Sequence, residues 1–245
     1  MNVAVFLYGE YRQFELAVEI YKDKFNFFNT DYYVSSWDYS RERCELGTYD
    51  EEHFVTEDKI KKYLPNALIS LRKDKDRVGR FTTKIYQHLS ICVDMCKNTR
   101  KKYDMVIVKR IDGFEIFDNS LFDNVDSNSL YTMNGLSDGV KFDFGDLFFY
   151  GGVEPVFKFI KGFYKKIELG LLANVHGHPD EFLYESDISV KKFPIKVNSC
   201  LIRPNMLDIF RNCKSYGDID KNILDANSKA TSEWYDKLRK TISKV

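Results

Sequence analysis

The stretch Tyr103-Asp104-Met105-Val106-Ile107-Val108-Lys109-Arg110-Ile111-Asp112-Gly113 constrains the fold most. Its four successive apolar residues, 105–108, suit a strand covered on both faces, and Asp112-Gly113 breaks that strand with turn chemistry. The strand therefore delivers an acid to its carboxyl end, the edge at which open α/β sheets bind ligands. An aspartate placed there can hold a divalent cation or a sugar hydroxyl. The plainer alternative is a solvated aspartate that only closes the turn.

The rest of the first half alternates in the same style. Residues 3–7 form a short apolar strand that meets Tyr8-Gly9, and Phe14, Ala17, Val18, Tyr21 and Phe25 follow at helical spacing. Residues 32–37 read as a second strand ending at Trp37-Asp38. Thr56 is placed to cap a short helix carrying Ile60 and Leu64, residues 67–71 add a third strand, and the charged run 72–77 reads as a solvated loop. Ile85, Leu89, Cys92, Val93 and Cys96 make the cleanest helical stripe, with Thr82 or Thr83 as its cap.

The second half is less regular. Residues 130–133 and 146–150 read as strands around a hairpin turn at Asp138-Gly139. Glu154-Pro155 starts a helix with Pro155 in its first position and Gly170 as its stop, and His178-Pro179 opens another. Edge strands are expected at 190–197 and 200–202, and Trp234, Leu238 and Ile242 mark a terminal helix. With no internal repeat and no Gly-, Ser- or Pro-rich linker, the pattern predicts one α/β sheet carrying an extra lobe.

Bulk properties exclude several classes. A chain of 245 residues buries roughly 70–75% of its unfolded surface, enough for one core without staples. Its 37 basic and 37 acidic side chains cancel, so the basic excess of a nucleic-acid binder is missing. Five cysteines, Cys44, Cys92, Cys96, Cys200 and Cys213, show no metal-like spacing; Cys92 and Cys96 fall on one helix face as small buried thiols, which fits a reducing cytoplasm. No window approaches the ~18 apolar residues of a spanning helix, and the amino terminus does not read as a signal peptide. Membrane contact is therefore expected to be peripheral at most.

Several residue groups carry chemistry. Gly9 and Arg12 lie in the first strand-to-helix turn, where a glycine lets a phosphate approach the backbone and a guanidinium neutralises it. Trp37-Asp38 offers a ring for stacking and an acid for a ribose hydroxyl, although a core tryptophan reads equally well. Arg110 points to the same side as Asp112 and can meet either a carboxylate or a phosphate. In Asp143-Phe144-Gly145-Asp146, Asp146 is placed to serve as a base beside a hydroxyl, or to satisfy a turn. His176, His178, Asp180 and Glu181 crowd one stretch, where His178 either binds a metal or caps a helix.

In this order the segments resemble a family of small glycosyltransferases of the GT-A type found in surface-polysaccharide gene sets and in large viruses and phages. The likeness runs over residues 3–190: Gly9 and Arg12 on the opening strand, Trp37-Asp38, Gln87 on a helix, Arg110 and Asp112, Gly145-Asp146, then His178-Pro179-Asp180-Glu181. It implies a GT-A-like α/β fold with a central, mostly parallel mixed sheet flanked by helices. Residues 1–115 would form a donor nucleotide-binding half and residues 116–245 an acceptor half of a single domain. The resemblance implies that Gly9, Arg12, Trp37, Asp38, Lys84, Gln87 and Arg110 serve the nucleotide-sugar donor. Asp146 would act as the base of an inverting transfer to a glycan or glycolipid hydroxyl, with Glu181 in reserve.

Asp112 falls where such enzymes use Asp-x-Asp to bridge a cation to the diphosphate, and here Arg110 replaces the first acid. Two routes stay open: Mn²⁺ or Mg²⁺ on Asp112 with His178, or charge from Arg12 and Arg110 without metal. Two other functions also remain. A sugar-phosphate nucleotidyltransferase would share the first half of the fold, and a non-catalytic sugar or nucleotide module would tolerate the missing acid.

Overall fold

The computed structural model describes residues 1–11, 14–15, 17–18, 25, 28–40, 54–74, 81–117, 119–133, 148–171, 178–195 and 197–201. Every residue of β4 (Met105–Arg110) is buried, as an apolar run with no polar face requires. It lies beside β1 (Asn2–Gly9), which is followed outward by β2 (Asn29–Trp37) and β3 (Leu68–Arg72). On its other side come β7 (Phe148–Gly151), β6 (Ser129–Thr132) and β8 (Ser189–Lys192), completing a seven-stranded sheet in the order β3-β2-β1-β4-β7-β6-β8. Within it only β7 runs against the others. The expected mostly parallel mixed sheet flanked by helices is the observed architecture.

Side-chain alternation divides the core into two layers. Val3, Val5, Leu7, Met105 and Ile107 face a cluster that includes Phe14, Ala17, Val18 and Phe25, whose backbones are helical. Ala4, Phe6, Tyr8, Val106 and Val108 face the helices Phe81–Asn98 and Val153–Glu168. The first of these turns Leu89, Cys92, Val93 and Cys96 inward; the second does so with Val156, Phe159, Ile160 and Phe163. Tyr86 joins the two helices, its ring 4.4 Å from that of Phe163. Cys92 and Cys96 are free buried thiols, and burial pushes Cys96 up to about 11.

Local differences from the sequence reading have identifiable causes. Thr82 and Thr83 lie inside the helix, which begins at Phe81, so neither caps it. Pro155 is the third residue of its helix, still in the first turn where its missing N–H is harmless, and Gly152 is the cap. Thr56 does cap the short helix Glu57–Lys61, accepting from the Lys59 N–H, and Gly170 does stop the long one, at φ +68°. The run 72–77 is not simply solvated: Arg72 ends β3 and Asp74 is buried. Gly113 starts a new strand, β5 (Gly113–Ile116), which pairs antiparallel with β9 (Asn198–Leu201). β9 overlaps the edge strand expected at 200–202, but its pairing with β5 has no local signal because the two lie far apart in sequence.

The expected hairpin at Asp138-Gly139 and the helix around Trp234, Leu238 and Ile242 lie outside the described residues. The expected edge strand 190–197 is present as the shorter β8. Among the described residues no helix is long and apolar enough to cross a membrane.

Two sites test this packing. A Cβ on Gly152 would stand 1.7 Å from the Ser127 carbonyl oxygen, so Gly152→Ala is expected to cost about 3 kcal/mol in chemical unfolding. Asp126 accepts from the Asn128 N–H, the Ser129 hydroxyl and Lys191 on β8, and these bonds, the lysine's first, bring it down to about 2. A depressed carboxylate stabilises fully above its unfolded pKa of about 4 and loses that contribution as pH falls through 2. The stability gap between the natural chain and Asp126→Asn should therefore be constant between about pH 5 and about pH 9 and close towards pH 2.

Candidate functional site

The carboxyl ends of β3, β2, β1 and β4 line one edge of the sheet. Register sets Trp37 beside Arg72, Gly9 beside Ser36, and Arg110 beside Tyr8. The chain passes from β1 to β2 on one side and returns to β1's other side as β4, so the strand order reverses between Gly9 and Arg110. Crevices of open α/β sheets form at that point. Gly9 has φ +115°, a conformation that favours glycine, and the Ser36 hydroxyl holds its carbonyl at 2.8 Å. Among the described residues, apart from its chain neighbours, a Cβ built there would find only the Ile111 Cγ2 atom within 4 Å, at 3.9 Å.

Across the reversal stands the β4–β5 turn, held on three sides. The Ile111 N–H donates to the Tyr8 carbonyl at 2.9 Å, tying the turn to β1. The Lys109 Nζ donates to the Gly113 carbonyl at 2.6 Å and pairs with Glu115 at 3.0 Å, both side chains essentially fully buried. Arg110 grips Asp112 through two bonds, Nε to Oδ1 at 2.9 Å and Nη2 to Oδ2 at 3.0 Å. This is the paired geometry in which guanidinium and carboxylate bind best. The Asp112 side chain is 0% exposed and that of Arg110 9%.

Burial drives the Lys109 pKa down and that of Glu115 up; each charge partly restores the other, and Asp112 also favours the charged lysine. Two basic and two acidic side chains thus pair off within seven residues of chain. Lys109 and Glu115 were not singled out from sequence. The available signal was a lysine at an inward position of a strand buried on both faces, where a charge needs a partner.

The donor-side residues take different positions. Trp37 is 3% exposed, with the Arg72 guanidinium 5.3 Å over its ring and the His88 ring edge-on at 4.8 Å. His88 is in turn bound to the Ser35 hydroxyl at 2.8 Å. The tryptophan is therefore part of the core under the edge, not an open stacking platform. Asp38 accepts from the Asp74 N–H at 2.7 Å and pairs with Lys73 at 3.1 Å, fastening the end of β2 to the segment after β3. Gln87 bonds to Tyr164 of the Val153–Glu168 helix, and Lys84 lies half-buried one turn earlier.

Glu181 is exposed on the helix His178–Glu185, whose Phe182 packs against Phe159 and Phe163. His178 begins that helix; Arg12, Asp146 and His176 lie outside the described residues. The edge thus brings together Gly9, Trp37, Asp38, Arg110 and Asp112.

These residues do not fit a divalent cation. Such an ion needs several outward oxygens, whereas Asp112 is buried and occupied on both oxygens by Arg110. Among the described residues no group of three His, Cys, Asp or Glu stands close enough to complete a shell.

No protein-family model and no curated protein sequence matches the chain. Solved structures similar to it include glycosyltransferases. The galactosyltransferase LgtC, in complex with donor and acceptor sugar analogs, aligns with 78% of this chain and 73% of its own at 11% identity and a TM-score of 0.44. A glycosyltransferase involved in glycosylation of the major capsid of PBCV-1 aligns with 91% and 98% at 8% identity and a TM-score of 0.44. GlyE of Streptococcus pneumoniae TIGR4 aligns with 77% and 44% at 14% identity and a TM-score of 0.42. These likenesses are distant, and the chemistry available at the edge follows from the residues that form it.

Removing one member of a buried ion pair strands the other. Arg110→Met should destabilise the fold by about 3–5 kcal/mol, and Arg110→Met with Asp112→Leu should recover most of that loss. Urea unfolding of the natural chain, both single variants and the double variant measures the coupling directly.

Proposed function

We propose that this chain is a glycosyltransferase that moves a sugar from a nucleoside diphosphate sugar to a hydroxyl of a glycan or lipid-linked acceptor. The observation that carries the reading is the juxtaposition, where the strand order reverses, of a glycine at positive φ and a buried Arg-x-Asp pair. The glycine lets a phosphate approach the main chain, and the guanidinium offers it charge. Residues 1–115 serve the donor. Asp38 is available to the ribose from its anchored place at the end of β2, Arg12 and Lys84 add positive charge, and Trp37 and Gln87 support the edge from beneath.

In the transfer, the acceptor hydroxyl gives its proton to the Asp146 carboxylate while its oxygen attacks the anomeric carbon. The bond from that carbon to the diphosphate breaks, and the leaving oxygen keeps the electron pair beside Arg110. Residues 116–245 supply the acceptor side, with Glu181 the alternative base. One displacement of this kind inverts the anomeric centre.

A calorimetric and thermal-shift panel of nucleoside diphosphates and their sugar conjugates tests the reading. The expected result is stabilisation by at least one nucleoside diphosphate, diminished in Asp112→Asn, and sugar-dependent release of that diphosphate. Asp146→Asn should bind normally but turn over about 10²–10⁴-fold more slowly. A response to nucleoside triphosphates alone would indicate nucleotidyl transfer instead.

A further inference from the structure

We propose that Arg110 takes the place of a divalent cation in this site, so that the diphosphate is held by a guanidinium and the chain works without metal. The inference rests on the donor reading given above and assigns the charge that reading needs. Three features of the turn support it.

The first is the direction of the ion pair. Asp112 is 0% exposed and Arg110 9%, so what little exposure the pair keeps belongs to the guanidinium. A carboxylate that ligates a metal must offer its oxygens to it; both oxygens of this one are bonded to Arg110. An approaching diphosphate meets positive charge, and the buried acid behind it fixes the guanidinium plane. Arginine suits that task because its planar donors match the oxygens of phosphate.

The second is that the acid cannot easily change partners. Ile111 is bonded to Tyr8, and Lys109 holds Gly113 and Glu115, so the backbone on both sides of Asp112 is fastened. A cation claiming Asp112 would have to displace a guanidinium and leave it beside the new charge.

The third is charge balance. Lys109 is paired with Glu115 and Arg110 with Asp112, so an ion that took either acid would strand a buried cation. Lys109 also donates to the Gly113 carbonyl.

Calorimetry with a nucleoside diphosphate, in EDTA and in Mn²⁺, tests this on the whole chain. Affinity in EDTA is expected to equal that in Mn²⁺. In EDTA, Arg110→Met should weaken binding about ten- to a hundredfold, and Arg110→Lys, which keeps charge but loses the fork, should fall between. Melting curves establish that each variant is folded, and the lysine variant carries the comparison where the methionine variant is not. Arg110→Asp, which restores an acid-x-acid pattern, should bind only when Mn²⁺ is added. Natural-chain binding that vanishes in EDTA and returns with Mn²⁺ overturns the inference and leaves the donor reading standing. Absence of diphosphate binding under both conditions overturns that reading and the inference with it.

Discussion

A strand enclosed on both faces has no cheap place for a charge, yet β4 ends in Lys109-Arg110 and is followed at once by Asp112 and Glu115. Pairing within the turn resolves the conflict. Alternation sends Lys109 to one side of the sheet and Arg110 to the other, and each finds its acid a few residues ahead. Unpaired, any of the four would carry a large desolvation penalty. The fastened turn that results lies where the sheet reverses its order, so a stability requirement also fixes the backbone at that point.

The two edges of the sheet are built differently. At the carboxyl edge, Ser36 holds the Gly9 carbonyl and Asp38 holds the segment after β3, and among the described residues nothing but Ile111 and the glycine's chain neighbours comes within 4 Å of a Cβ built on Gly9. On the side leading into β4, the side chains close on one another. Lys101 donates to Asp31, Asp31 accepts from the Tyr103 hydroxyl at 2.7 Å, and Tyr103 meets Tyr33 at 2.6 Å. Asp104 accepts from the Asn2 N–H nearby. That chain of contacts clamps the start of β4 to β1 and β2.

Much of this was legible in the residues. The apolar run 105–108, the stripe from Ile85 to Cys96 and the Thr56 cap each rest on local rules, and each element forms where those rules put it. Gly9 was legible as a turn glycine because its neighbours fix the strand end. What escaped was pairing. Nothing in Trp37 itself says that Arg72 and His88 will enclose it, and nothing in Asp112 says that its partner is Arg110 and not an ion. Arg72 and Asp74 looked solvated inside a charged run because composition does not reveal which side chain meets the Asp38 end of β2. Burial of polar groups is a tertiary property, and single-sequence patterns carry little of it.

The β5–β9 ribbon has a consequence for how the molecule comes into being. The strand that continues directly from the Asp112 turn has its hydrogen-bonding partner at Asn198–Leu201, contributed only after the helices Val153–Glu168 and His178–Glu185 have been made. Closing such a long loop is slow, and during synthesis the early strands emerge before the segment that completes them. A ribosome-bound fragment ending before residue 198 would carry the whole β1–β4 core yet leave the strand after the Asp112 turn unpaired. That strand gains its partner only once the chain has been made past residue 201.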